Sequence, residues 1–410
     1  MKKLIAILVV FALVAGSIFA ADVGVDVFGM FNLAKGSSAK NAAGDTADAD
    51  ANMAIPRIRI SASAQDENGI FGGWARFDTP NNWGAGGNTY GEGMVAYGYA
   101  WWQPIEQVKL QIGTNGGDGE FGLEGVTTWG FYQVAGDVRT IGADNAWGSG
   151  FWNGAGFRSA FYGGFNDGVV LKILPMDALA INIGIPFTYS WGTKAGDTYR
   201  SSHVQVAYNA DGIGTFGLTF VGDIMDKDVI GDSAKLYIFA GLSMIEGLGI
   251  DVGLGIKFPE TDTTGPVDVT VSYPISAGLG LNFGADQFGV KARFMGQFAG
   301  SVKVDSDKTD MPFLMLADIL PYYNVSDTVT VLLSAGLKLY GEDKDGVMGT
   351  PGVKTESVTG WHIHPYVTIK SNWWAPNFYA GFRLESDGGE DGKGDKYVDW
   401  SIPIGIAFSF

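Results

Sequence analysis

Apolar residues alternate with small or polar ones along most of this chain. From Val398 to Phe410 every even position is apolar: Val398, Trp400, Ile402, Ile404, Ile406, Phe408 and Phe410. The odd positions are Asp399, Ser401, Pro403, Gly405, Ala407 and Ser409. Side chains of a strand point alternately to its two faces, so this run has one apolar face and one small or polar face. The same phase holds in Val23, Val25, Val27 and Phe31, in Ile58, Ile60, Ala62 and Ala64, and in Val108, Leu110 and Ile112. It returns in Leu179–Phe187, Val204–Tyr208, Ile250–Phe258, Val267–Phe283, Phe288–Phe298 and Val329–Leu339. No stretch reads as an amphipathic helix. The longer runs match or exceed the roughly 9–11 residues of a tilted membrane strand, whereas strands of soluble domains average about 5–6.

The links between runs alternate in length. Tight ones fall near Asp66–Asn68, Gln103–Glu106, Pro175–Asp177, Asn209–Gly212, Ile245–Gly247, Gly284–Asp286, Asn324–Asp327 and Asn372–Pro376. Longer polar links lie between them, at 35–53, 80–91, 115–156, 192–200, 222–233, 258–266, 303–311, 341–357 and 386–395. Short turns on one side and long loops on the other are the hairpin asymmetry of a transmembrane β-barrel. The expectation is an all-β, antiparallel barrel of about eighteen strands, within roughly 16–20, with both termini on the tight-turn side. The range reflects residues 155–174, where Phe165-Asn166-Asp167-Gly168 reads as one more tight turn.

Residues 1–21 read as a secretory signal peptide, with Lys2 and Lys3 before an apolar core from Leu4 to Val14 and a small-residue exit at Gly16–Ala21. The remaining 22–410 form a single barrel domain without linker or low-complexity tail. There is no cysteine, which excludes disulfides, a lipid-bearing N-terminal Cys and thiolate metal chemistry. The formal charge of −17 argues against nucleic acid as a partner, because phosphate binding needs basic surface. The 62 glycines lack a collagen period and suit a crowded inner sheet face and turns. Aromatic pairs beside the tight turns (Trp101 with Trp102, Tyr322 with Tyr323, Trp373 with Trp374) predict a membrane-interface girdle.

With these features the chain resembles the general diffusion porins of Gram-negative-type outer membranes. The resemblance rests on the signal peptide, the alternating strands, the turn asymmetry and a final strand ending in Phe410. It implies recognition of that strand by the barrel-assembly machinery, outer-membrane lipids as surroundings and homo-trimerisation. In porins the third long loop folds into the lumen and narrows it. Here the third long loop, 115–156, is the longest, and its Gly119-Glu120-Phe121-Gly122 is similar to the porin P-E-F-G-G stretch, with Gly119 in place of proline. A loop of this length in a compact barrel is functional more often than incidental.

The candidate constriction sets basic residues on polar strand faces against acids of that loop. Arg57 and Arg59 share a strand, Arg76 lies on its hairpin partner, and Lys109 follows later; Asp118, Glu120 and Glu124 are the loop acids. Arg158, Lys291, Arg293, Lys338 and Arg383 take the same lumen-facing phase. Opposed charges across a narrow pore create a transverse field that selects solutes by size and charge. His362 and His364 also face the lumen, and His-x-His on a strand is a weak metal candidate without a third ligand. The acidic loops at Glu342–Gly346 and Asp387–Gly392 lack EF-hand spacing. No G-x-S-x-G and no histidine–nucleophile pair is present, so neither an enzyme nor a cofactor is expected. The expected function is passive diffusion of small hydrophilic solutes or ions, the alternative being a barrel that anchors adhesive or receptor loops.

Overall fold

The computed structural model describes residues 20–46, 49–78, 95–114, 167–186, 202–222, 235–257, 260–262, 269–272, 275–298, 301–304, 307–310, 312–342, 357–370, 377–386 and 388–409. Among these the regular elements are all strands. They are β1 (Ala20–Ser37), β2 (Asp50–Gln65), β3 (Phe71–Asp78), β4 (Val95–Ile105), β5 (Val108–Thr114), β6 (Asp167–Met176), β7 (Leu179–Pro186) and β8 (His203–Ala210). Next come β9 (Gly214–Val221), β10 (Lys235–Ile245), β11 (Leu248–Lys257), β12 (Glu260–Asp262), β13 (Val269–Ser272), β14 (Ile275–Gly284), β15 (Phe288–Phe298) and β16 (Ser301–Val304). The last are β17 (Asp307–Asp310), β18 (Leu314–Asn324), β19 (Val329–Tyr340), β20 (Val358–Lys370), β21 (Asn377–Gly381), β22 (Arg383–Ser386) and β23 (Asp399–Ser409).

Every pairing is antiparallel, and each strand of the main sheet joins its neighbours in chain order until β23 returns to β1, with Phe31 opposite Ile404. The sheet is therefore a closed ring. It holds nineteen described strands. Two of them, β21 and β22, pair with the same two neighbours and share one position, which leaves eighteen positions around the ring. Their separation at Phe382 has a covalent cause. Phe382 N–H donates to Pro365 O at 3.0 Å, and proline has no N–H to return. The short strands β12, β13, β16 and β17 pair among themselves and prolong, in chain order, the hairpins of β11, β14, β15 and β18.

Tight turns connect β2–β3, β4–β5, β6–β7, β8–β9, β10–β11, β14–β15 and β18–β19. At the first, Asp66 Oδ1 accepts the Phe71 N–H at 2.7 Å while Gly69 takes a positive φ of 69°. Of Phe165-Asn166-Asp167-Gly168, Asp167 and Gly168 begin β6, opposite Thr114 and Gly113 of β5, while Phe165 and Asn166 lie outside the described residues.

At the opposite end, two miniature turns from the first and last connections interlock. The Lys40–Thr46 and Glu390–Lys396 bridges close them. Lys40 N–H donates to Asp391 Oδ2 at 2.8 Å, and Gly392 N–H to Lys40 O at 2.8 Å. Ser38 N–H donates to Val398 O, and Val398 N–H to Ser38 Oγ. This clasp spans the seam where β1 meets β23.

Burial is inverted relative to a water-soluble domain. Along β8 the outward Val204, Val206 and Tyr208 are exposed, while His203, Gln205 and Ala207 are buried. Along β19 and β20 the outward Leu333, Leu337 and Ile363 are exposed, and Ser334, Lys338, His362 and His364 are buried. An apolar outer surface of this extent is costly in water and favourable in hydrocarbon. A ring without edges is also one of the two ways to satisfy backbone polar groups there.

In each described aromatic pair one ring faces outward and the other inward. Trp102 and Tyr323 face outward and are exposed, joined near the tight turns by outward Phe71, Tyr208, Phe216, Phe283, Phe288 and Phe378. Phe71 and Trp102 stack with centroids 6.5 Å apart. Trp101 and Tyr322 point inward instead. Trp101 lies across Gly72, and Tyr322 across Gly289, where a Cβ would collide with the ring. Consecutive residues of a strand cannot share a face, so an adjacent aromatic pair turns only one ring outward. Trp373, Trp374 and Phe410 lie outside the described residues.

Candidate lumen-facing site

The β2–β3 hairpin carries the predicted arginines. Arg57 and Arg59 are alternate residues of β2, two and one alternate positions before Ser61, which stands opposite Arg76. The three thus lie within a few rungs of one another. In backbone register Arg59 pairs with Asp26 of β1 and Asp78 of β3. Arg76 is buried with its guanidinium 5.7 Å from the Trp74 ring centroid.

Lys109 does not join that group. It is separated from the Arg76 level by the rungs of Trp74 with Tyr99 and of Gly72 with Trp101. Its Nζ sits 4.8 Å over the Trp101 ring centroid, and its register partner is Lys172 on β6. Tyr99 packs between Trp74 and Trp101, with centroids 5.4 and 6.0 Å away. The result is an inward patch of aromatic rings flanked by cations. Asp118, Glu120 and Glu124 of the expected opposing loop, and Arg158, lie outside the described residues.

From Lys172 a polar row runs round the wall through Asn182, Gln205 and Thr219 at successive register positions. Asn182 Nδ2 donates to Gln205 Oε1 at 3.1 Å, and Gln205 Nε2 donates to Thr219 Oγ1 at 3.1 Å. All four residues are buried. Buried amides persist where each has a partner, and a cross-strand chain supplies one. Sequence reasoning missed Lys172 because inward Val170 interrupts the polar phase of β6; the signal was the register partner of Lys109.

A second polar group lies across β18–β22, where His364 is flanked by Ser334 in register; in backbone register Asp318 of β18 pairs with Arg293 of β15. His362 Nε2 and Ser334 Oγ are 3.1 Å apart, and the His362 ring occupies the notch left by Gly336. His364 packs on Tyr366, with centroids 5.0 Å apart. Arg383 Nε donates to Glu385 Oε2 at 3.0 Å, and the two form an ion pair. Lys338 Nζ lies 5.1 Å over the Tyr340 ring. Among the described residues no three His, Asp or Glu side chains converge as a metal site requires. The His362 and His364 rings are instead packed into the wall, in contact with Ser334 and Tyr366.

A closed antiparallel ring, apolar outside and polar inside, defines a β-barrel of the outer-membrane type. No family model matches the chain, and no curated protein does. Solved structures do. OpdQ of Pseudomonas aeruginosa is similar with a TM-score of 0.52 at 9% identity, covering 95% of this chain and 98% of its own. OpdL of the same organism is similar with a TM-score of 0.51 at 11% identity and the same coverage. At such identities the likeness is one of fold, and in fold the chain resembles outer-membrane porins, as its strand pattern predicted.

Proposed function

We propose that this chain is an outer-membrane porin giving passive diffusion of small hydrophilic solutes or ions. One observation carries the reading: the ring closes with its polar, buried face inward and its exposed apolar face outward. A wall so arranged separates lipid from a hydrated lumen. In this reading residues 1–21 direct export, 22–410 form the barrel, and Phe410 presents the terminal strand to the assembly machinery. Loop 115–156 narrows the pore with Asp118, Glu120 and Glu124 facing Arg57, Arg59 and Arg76. Lipid surrounds the outer belt, identical subunits associate as a trimer, and no catalytic step is involved.

Planar-bilayer recording of the purified protein tests this. Stepwise conductance is expected, and its absence would return weight to a barrel that only anchors surface loops. In a salt gradient, Arg57→Ala with Arg59→Ala is expected to move the reversal potential toward stronger cation preference. An unchanged potential would remove the two arginines from the constriction.

A further inference from the structure

β1 carries one residue too many for its place in the ring. Against β23 it pairs in regular steps from Asp26 opposite Ser409 to Asn32 opposite Pro403, and resumes with Lys35 opposite Ser401. Leu33 and Ala34 thus stand against the single residue Ile402. On the other flank they stand against the single residue Ala51, because Asn32 pairs with Asn52 and Lys35 with Asp50. Such a bulge locally disrupts the ladder. Both flanks miscount by the same residue, so moving the end of β1 one step along would regularise both ladders at once. Pro403, opposite Asn32, has no N–H with which to hold the strand at this level.

Two features oppose that step. Beyond the bulge Gly36 is the partner of Trp400, whose indole lies so close that a Cβ on Gly36 would be 2.8 Å from its Nε1. The step would bring Lys35 to that place, against the ring. Past the strand end, the clasp fixes Ser38 against Val398 and Lys40 against Asp391 and Gly392. The step would carry Ser38 beyond Val398, so the closed clasp and the regular ladder exclude one another. The clasp is also closely packed: a Cβ on Gly392 would lie 2.7 Å from Ala42 N.

We propose that the outer end of β1 has two registers and that the clasp is the latch selecting between them. With the clasp closed, Lys35 shares the inward face of Ser401, which is buried. With the clasp open, the bulge is erased, Leu33 pairs with Ile402, and Lys35 moves to the outward face of Trp400, since a step of one residue reverses faces. The latch decides whether this cation lines the lumen or the lipid side at the long-connection end of the seam. The inference rests on the closed ring and not on diffusion through it.

Cross-strand nuclear Overhauser contacts of the detergent-folded full chain read the register. Wild type is expected to show Lys35 with Ser401 and Gly36 with Trp400. Gly392→Ala, which forces the two turns apart, should replace these by Lys35 with Trp400 and Leu33 with Ile402. Asp391→Ala opens the same clasp through its other contact and should do likewise. Contacts of Phe31 with Ile404, before the bulge, identify the folded variants. Deleting Ala34 removes the surplus residue, so in that background Gly392→Ala should keep Lys35 with Ser401. Wild-type contacts in both clasp variants overturn the latch. Loss of the wild-type contacts without the new pairs overturns it too, because the seam would then merely fray. Slippage that persists after deletion of Ala34 has the same consequence. Failure of both clasp variants to fold also overturns it, because the second register still closes the ring. Bilayer conductance of the same preparation bears on the porin reading alone.

Discussion

His362 and Ile363 are joined by one peptide bond and face different solvents. His362 is 1% exposed on the inner wall, and Ile363 is 45% exposed on the outer one. The period of two therefore decides what each position tolerates. Ile363 lies near the middle of β20, where a charge on the lipid side is most costly. Ile363→Arg is expected to destabilise the barrel by about 2–4 kcal/mol in lipid vesicles, measured by reversible denaturant unfolding. Asp327→Arg, in the β18–β19 turn, should change it by less than about 0.5 kcal/mol. Equal effects at the two positions would place Ile363 away from hydrocarbon. The same period turns Trp102 and Tyr323 outward and Trp101 and Tyr322, one residue earlier, inward.

Between residues and the ring stand the connections, and the clasp at the seam is the best defined. Asp391 sits on the exposed surface yet organises it. Its Oδ2 accepts from Lys40 N–H, and its Oδ1 from Lys393 and Asp395 N–H at 2.8 and 3.0 Å. The Lys40 N–H above all, with those of Asp395 and Lys393, holds the carboxyl below the usual carboxylate range. A depressed pKa stabilises the ionised fold. The contribution is fully present above the ordinary value of about 4 and is lost as pH falls through the lower value taken in the clasp. Protection factors of the Lys40, Lys393 and Asp395 amides, corrected for intrinsic exchange, should therefore decrease below about pH 4. Asp391→Ala should show the same loss at neutral pH. Undiminished protection in that variant would mean that the turns are held by backbone bonds alone.

For the molecule as a whole, closure matters more than any one strand. β23 pairs with both β21–β22 and β1, so no strand of the ring presents a free edge. Removing Asp399–Phe410 opens two edges, whose unpaired N–H and C=O groups are costly in hydrocarbon. That truncation is expected to abolish the compact, heat-sensitive band that the intact barrel gives on cold detergent gels. A truncated chain still migrating as a folded species would show that pairing with β23 is dispensable.

The architecture was legible because a membrane barrel writes its environment into nearly every residue. Alternation, paired with tight turns between the runs, specified strands and which face is greasy. The site was legible only in part. Arg76 and Lys109 were marked by their phase, yet their separation by two aromatic rungs depends on the β3–β4 and β4–β5 registers. Lys172 and Asn182 gave no local signal, and Asp167-Gly168, turn-like in composition, are drawn into β6 by pairing with β5. The reason is physical: one strand's chemistry determines the face a residue takes, whereas its neighbours are chosen by hydrogen bonds to other strands. Facing is therefore a property of the sequence, and adjacency a property of the closed ring.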